Sequence, residues 1–206
     1  ANLTGGDGCT ASCAVEDGFA CVGEPSVCAT TCGDGVGAGT EACDDANTAS
    51  GDGCDAACAI EDGWVCAGEP SACATVCGDG IQAGAETCDD ADSQGADGCS
   101  AACLVESGYA CTGAPSACAT ICGDGLIVAA EACDDGNPGG GGGCSAACAV
   151  EPGWTCNGAP SACTTTCGDG VVAGAETCDD TGAASGDGCS ATCLVETGYY
   201  CTGNPS

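Results

Sequence analysis

Small disulfide-rich tandem repeats are the fold class this chain predicts: 45-residue units, mostly irregular with short β-hairpins, forming an elongated rod or fibre. Three observations predict it. A cysteine pattern recurs every 45 residues; the 206 residues include 27 Cys and 38 Gly; and aromatic side chains are only 3% of positions. Self-similarity at a fixed period marks an array of one small element. Cysteine above about a tenth of a chain marks a disulfide scaffold. A short unit without large apolar side chains needs such staples to fold.

The unit opens on C-G-D-G, at Cys32, Cys77, Cys122 and Cys167. A second cysteine, at Cys43, Cys88, Cys133 and Cys178, precedes a pair of aspartates. After a Gly/Ser/Asn loop come Cys54, Cys99, Cys144 and Cys189, then Cys58, Cys103, Cys148 and Cys193. Cys66, Cys111, Cys156 and Cys201 follow an aromatic residue, and Cys73, Cys118 and Cys163 close the unit. The domain organisation is therefore a partial repeat at 1–31, full repeats at 32–76, 77–121 and 122–166, and a repeat at 167–206 that lacks its last cysteine.

Glycine at nearly every punctuation point predicts turns. Leu126–Val128 and Val171–Ala173 read as short strands, with Tyr199–Cys201 as another in a small hairpin. Ser100–Cys103 reads as one helical turn. No apolar stripe has a period of 3.6, so no helix longer than about two turns is expected. The expected core is the half-cystines plus Val15, Ile60, Val105, Val150 and Val195, with Phe19, Trp64, Tyr109, Trp154 and Tyr199.

Zinc is the competing use for so many thiols. Its sites favour Cys-x2-Cys or Cys-x4-Cys pairs, often with His. This chain has no His, and its close pairs, such as Cys54 and Cys58, are separated by three residues. Disulfides are the reading, and with them an oxidising, extracellular compartment.

The charge is one-sided: 31 Asp and Glu against no Lys, Arg or His, a net −31. Binding to nucleic acid is excluded, because phosphate neutralisation needs Lys and Arg. Anionic membrane surfaces are excluded on the same ground. No apolar run approaches the roughly 18 residues of a membrane-spanning helix, so membrane insertion is not expected. No signal peptide precedes Ala1, which reads as a mature segment or fragment. By phase Ala1-Asn2 matches Ala46-Asn47, and Pro205-Ser206 matches Pro160-Ser161. The odd count of 27 Cys leaves at least one thiol without an internal partner. A longer polymer is expected, by chain continuation or by partnership with a copy of itself.

The pattern C-G-D-G-x7-C-D-D, then G-D-G-C-x3-C-x7-C-x6-C, resembles the myxococcus-type cysteine-rich repeat of secreted and surface proteins in bacteria and some protists. The resemblance covers essentially the whole chain. It implies an extracellular, disulfide-linked array and supplies no biochemical activity. Pro138 through Gly143 depart from it, placing Gly142 where Asp52, Asp97 and Asp187 stand. Pairing is not fixed by spacing. The expectation is Cys32–Cys43 in the first loop and crossed pairs among Cys54, Cys58, Cys66 and Cys73, leaving Cys9, Cys13, Cys21 and Cys28 self-sufficient.

The candidate site is a recurring acidic constellation. In the first full repeat it is Asp34, Glu41, Asp44, Asp45, Asn47 and Asp52. The next holds Asp79, Glu86, Asp89, Asp90, Asp92 and Asp97. Then come Asp124, Glu131, Asp134, Asp135 and Asn137, and finally Asp169, Glu176, Asp179, Asp180 and Asp187. Hard oxygen ligands on Gly-rich loops suit Ca2+. Two carboxylates about 4 Å apart repel by about 1 kcal/mol in water and about 4 kcal/mol at a dielectric near 20. A Ca2+ ion per cluster would reverse that sign. The loop Asp45–Ala49 is not an EF-hand, since it lacks an oxygen side chain at its fifth position and the distal bidentate Glu. The alternative is that these acids cap turns by accepting backbone N–H bonds. Both roles fit one residue.

Catalysis has no support: there is no His or Lys, and the carboxylate pairs repeat on units too small for a cleft. Asn2, in Asn2-Leu3-Thr4, is the one N-glycosylation acceptor, and glycans are expected decoration. The functional expectation is a structural segment of an extracellular fibre, disulfide-stapled and calcium-braced. The alternatives are an adhesin or receptor stalk that presents a ligand-binding region, and a low-affinity calcium store.

Overall fold

The computed structural model describes residues 5–206; Asn2 lies outside the described residues. Its regular structure is four two-stranded antiparallel hairpins. They are β1 (Phe19–Val22) with β2 (Val27–Thr30), β3 (Trp64–Ala67) with β4 (Ala72–Thr75), β5 (Tyr109–Thr112) with β6 (Ala117–Thr120), and β7 (Trp154–Asn157) with β8 (Ala162–Thr165). No helix occurs among the described residues. Contacts divide the chain into two compact units. The first runs to Gly95 and includes Cys99–Val105 and Cys111–Cys118; the second comprises Ala96–Gly98, Glu106–Ala110 and Ala119–Ser206.

Each hairpin forms at the aromatic-x-Cys segment. Burial alternates along the strands, so Trp64 and Cys66 turn inward while Val65 and Ala67 face water. The register sets Cys66 directly opposite Cys73, and the two are bonded with Cα atoms 4.0 Å apart. Cys21–Cys28, Cys111–Cys118 and Cys156–Cys163 repeat this link. Tyr199–Cys201 forms no strand, because the segment that pairs with it in the other repeats has no counterpart within the sequence.

The remaining links differ from the expected pairing. Cys32 bonds Cys58, and Cys43 bonds Cys54. The same pairs recur as Cys77–Cys103 with Cys88–Cys99, Cys122–Cys148 with Cys133–Cys144, and Cys167–Cys193 with Cys178–Cys189. The reason is local: the C-G-D-G turn wraps the carboxylate of Asp44, not the sulfur of Cys43, and this delivers Cys32 to Cys58. Nor is the first cysteine set self-sufficient: Cys21 bonds Cys28, but Cys9 and Cys13 are free thiols, as is Cys201 in the last repeat.

Leu126–Val128 and Val171–Ala173 are not strands. Their N–H groups are taken by carboxylates: Leu126 donates to Asp124 at 2.8 Å and Val128 to Glu131 at 3.1 Å. Val171 donates to Asp169 at 2.8 Å and Ala173 to Glu176 at 3.0 Å. A ladder cannot use donors already spent. At Ser100 the chain makes a single turn, with the Cys103 N–H on the Ser100 carbonyl at 2.8 Å. Cys103 then turns to φ 52°, which stops a helix from propagating.

The core keeps the expected half-cystines, and Val105 packs against one of their clusters, but the other aliphatic positions depart from it. Buried positions are cystines, Cys43, Cys54 and Cys58 in one cluster, with Cys32, Cys66 and Cys73 packed against them. Val15, Ile60, Val150 and Val195 are exposed, Val15 by 54%. Phe19, Trp64, Tyr109 and Trp154 are half-buried, whereas Tyr199 is exposed. Trp64 lies against backbone instead: a Cβ at Gly53, where φ is +110°, would come within 2.8 Å of its ring. Only glycine tolerates both that φ and that approach.

Peptide mapping of the oxidised protein is expected to return the first-to-fourth, second-to-third and fifth-to-sixth pairs in complete repeats. A Cys32–Cys43 link contradicts the fold. Replacing Cys77 and Cys103 together by Ala is expected to cost about 3 kcal/mol in denaturant unfolding, the loop-closure entropy of that link.

Candidate functional site

The first aspartate of each Asp-Asp pair is the centre of its repeat. Asp44, Asp89, Asp134 and Asp179 are 0–1% exposed, among the largest fully buried side chains in the molecule. Asp44 Oδ2 accepts N–H bonds from Gly33 at 2.8 Å and Asp34 at 3.3 Å. Its Oδ1 accepts from Gly35 at 2.8 Å and Ala46 at 2.9 Å. Asp89 accepts from Gly78, Gly80 and Ala91 at 2.8, 2.8 and 2.9 Å. Asp134 accepts from Gly123, Asp124, Gly125 and Gly136 at 2.7–3.2 Å. Asp179 accepts from Gly168, Gly170 and Thr181 at 2.7, 2.9 and 2.9 Å.

Gly33 and Gly35 sit at φ +87° and +85°, which lets successive N–H groups converge on one point. The result is a backbone nest for an anion, filled by the chain's own side chain. Burial alone would raise the pKa of Asp44. The N–H bonds from Ala46, Gly35, Gly33 and Asp34 outweigh it and hold the carboxyl below its ordinary 3.8. Asp89, Asp134 and Asp179 are lowered by the same balance.

A serine fixes the backbone of this aspartate. The Ser71 N–H donates to the Asp44 carbonyl at 2.6 Å, and the Asp44 N–H donates to Ser71 Oγ at 3.1 Å. Ser116, Ser161 and Ser206 make the same reciprocal pair with Asp89, Asp134 and Asp179. The Pro-Ser step of the hairpin turn thereby ties the strands to the buried acid.

The other expected residues cap turns. Asp34 and Asp79 are exposed and accept from Val36 at 3.0 Å and Ile81 at 2.8 Å. Asp45, Asp90, Asp135 and Asp180 each accept the N–H two residues on, at 3.0–3.3 Å. Asn47, Asp92 and Asn137 do so for Ala49, Gln94 and Gly139. Glu41 and Glu86 reach back to the N–H of Ala38 and Ala83 at 2.9 and 3.0 Å. Asp52 accepts from Asn47 Nδ2 at 3.1 Å, whereas Asp97 and Asp187 are exposed. At Gly142 a Cβ would lie 2.8 Å from Asp135 Oδ2, so Asp135 fills the space of the absent side chain.

One acid escaped sequence reading. Glu61 accepts from Gly51 at 2.8 and 2.9 Å and from Gly53 at 2.8 Å, closing the G-D-G loop. Glu16, Glu106, Glu151 and Glu196 do the same for the loops before Cys9, Cys99, Cys144 and Cys189. Its signal was its recurrence, as V-E-x-G or at Glu61 as I-E-D-G, at a fixed distance after the glycine that precedes Cys9, Cys54, Cys99, Cys144 and Cys189.

The arrangement disperses the acids onto backbone N–H groups. Cys32, Asp44 and Cys58 do place ligand-type atoms within 4.8 Å of one another. The two sulfurs are bonded to each other, so no thiolate remains, and the Asp44 oxygens already accept N–H bonds. Oxygen with capacity left for a cation is Oε1 of Glu41, Glu86, Glu131 and Glu176 and Oδ1 of Asp52, which are buried without a hydrogen-bond partner.

A family model described as a domain of unknown function (DUF4215) matches residues 10–59, 60–104, 106–149 and 147–194. No curated protein and no solved structure is found to match the chain.

Asp89→Asn puts an amide NH2 among N–H donors and is expected to lower the stability of its repeat by about 3 kcal/mol. The pH dependence has a definite sign. The folded pKa lies below the unfolded one, so the contribution of Asp89 is complete above the usual carboxylate range. It is lost as pH falls through the folded-state pKa, below 3.8. Unfolding measured against pH should therefore show acid loss in the parent protein and less of it in the variant. Equal slopes would contradict the assignment.

Proposed function

The chain belongs to the DUF4215 family, a domain of unknown function repeated here in tandem, and on that premise we propose that it is a structural, non-catalytic segment of an extracellular fibre or filament. The observation that carries this reading is closure within the repeat. Every disulfide and every buried aspartate is satisfied inside one 45-residue period counted from Cys32, or inside the hairpin before it. Repeats of that kind add to an array without altering those already folded. Twelve disulfides suit an oxidising compartment, and among the described residues no helix is long and apolar enough to cross a membrane. The narrower kinship with myxococcus-type repeats of secreted and surface proteins belongs to this proposal, as do self-association and glycans at Asn2.

Consecutive repeats meet in a way that favours stacking. Within the first compact unit a Cβ at Gly63 would lie 2.9 Å from that of Ala83 in the following repeat. Within the second, Gly153 and Ala173 stand in the same relation at 2.7 Å. Electron microscopy of chains with one or two repeats added is expected to show particles that lengthen by a constant step. Compact particles of unchanged outline would refute the fibre reading.

A second reading keeps Ca2+ as a brace, and the observation favouring it is the unpartnered Oε1 of the four glutamates Glu41, Glu86, Glu131 and Glu176. Under it, calorimetric titration gives Ca2+ uptake that Glu86→Gln reduces, and EDTA lowers the unfolding temperature. An unfolding curve indifferent to EDTA leaves the cystines and N–H-bound aspartates as the whole brace.

A further inference from the structure

We infer that Asn157 is a site of spontaneous backbone modification, where the side-chain amide is lost as ammonia through a succinimide ring closed by the Gly158 nitrogen. Water is the only co-reactant, so the chemistry needs no enzyme and no assembled fibre. Its consequence is local: it severs the tie between one hairpin and one buried aspartate.

Asparagine before glycine is the most open setting for this reaction, because glycine brings no side chain to shield its own nitrogen. The chain has Asn at 2, 47, 137, 157 and 204, and of these Asn157 alone precedes a glycine. Asn2 precedes Leu3 and lies outside the described residues. Pro138 and Pro205 follow two of the others, and a proline nitrogen has no proton to give up. Asn47 is held at both ends of its amide: Oδ1 accepts the Ala49 N–H at 2.6 Å and Nδ2 donates to Asp52 at 3.1 Å. Asn157 is exposed, and its side chain has no hydrogen-bond partner among the described residues. Gly158 is exposed too, and its N–H finds no acceptor among the described residues. A Cβ built on Gly158 would meet the Pro160 carbonyl oxygen, at 3.4 Å, and nothing else within 4 Å.

The same reaction is closed off where the chain otherwise most invites it. Aspartate before glycine also cyclises, and that step recurs through the nests and glycine loops. There the glycine N–H is donated to a carboxylate: Gly35 to Asp44, Gly53 to Glu61 and Gly136 to Asp134, each at 2.8 Å. A nitrogen bonded to an anion in this way keeps its proton, and each pKa unit so gained removes about tenfold of the deprotonated, attacking form. At Asp17-Gly18 and Asp62-Gly63 the glycines are buried, and an ionised carboxylate is a poorer electrophile than an amide.

The Gly158 nitrogen, its proton lost to water, bonds the side-chain carbonyl carbon of Asn157. The bond from that carbon to the amide nitrogen breaks, and ammonia leaves with a proton. Water then opens the ring at either carbonyl. Opening at the side-chain carbonyl leaves Asp at this position. Opening at the main-chain carbonyl leaves isoaspartate, whose backbone runs through the side chain and is one carbon longer. One water enters, one ammonia leaves, and nothing is oxidised or reduced.

The added carbon falls inside the turn that joins Asn157 to its strand partner Ala162. Ser161 in that turn is 8% exposed, gives its N–H to the Asp134 carbonyl and takes the Asp134 N–H on Oγ at 3.1 Å. Lengthening the turn moves Ser161 out of both bonds. The other hairpins carry Val22, Ala67 and Thr112 at the equivalent position and do not age in this way.

The test holds the oxidised full chain and an Asn157→Thr variant, which takes the residue type of position 112, at mildly alkaline pH and body temperature. Peptide mapping follows each described asparagine, and amide exchange follows the serines. Asn157 is expected to convert about tenfold faster than Asn47, giving isoaspartate and Asp together. In the isoaspartate fraction the Ser161 amide exchanges faster while that of Ser116 is unchanged, and the variant keeps slow exchange at Ser161 throughout. The inference is overturned if Asn157 keeps its amide as long as Asn47 does, or if Asp forms without isoaspartate. It is equally overturned if Ser161 exchanges alike before and after conversion, or quickens as much in the variant.

Discussion

A buried, ionised aspartate held by backbone N–H groups is the interaction on which each repeat depends. A carboxylate in a dry interior without partners is strongly disfavoured. Asp44 is tolerated because four donors converge on it, and those donors converge because Gly33 and Gly35 adopt a backbone that other residues avoid. Removing the acid would orphan the donors as well. The neighbouring cystine follows from the same centre: Asp44 Oδ2 sits 3.8 Å from Cys58 Sγ, which carries no proton and makes a packing contact only. Ser71 then fastens the hairpin to the backbone of the same residue.

This accounts for how a chain of −31 charge folds without a single basic side chain. The acids are spread over peptide dipoles. Glu61 serves the loop before Cys54, Asp34 the turn after Cys32, and Asp45 the turn after the buried acid. Each repeat solvates its own acids locally, one turn at a time. Charge-assisted bonds of this kind are stronger than neutral ones. The disulfides restrict the unfolded chain, and the capped acids specify which turns it adopts on folding.

The architecture was legible where the signal was a period. The repeat length, short hairpins as the regular structure and the lack of long helices among the described residues follow from spacing and glycine content, although the hairpin was read at Tyr199–Cys201, where no strand forms, and not at the four aromatic-x-Cys segments that carry one. The cystine pairing was not legible, because it depends on what the C-G-D-G turn encloses, and Asp44 and Cys43 are neighbours in sequence. The aliphatic positions misled for a related reason. Val15 and Ile60 recur as a core residue should, yet the cystines fill the small interior and leave them outside. The acidic constellation was found, but Gly-rich loops suit a cation and a nest of N–H groups equally well. The donors point at Asp44 only once the chain is folded, and only the folded loops single out Glu61.

The most direct measurement of this account is the titration of the side-chain carboxyl carbons of Asp44, Asp89, Asp134 and Asp179 by NMR in the oxidised, metal-free protein. All four are expected to keep their charge to a pH below the ordinary value of 3.8. Titration at or above that value would mean that the acids are neutral or solvated, and that something other than a backbone-bound anion organises the repeat.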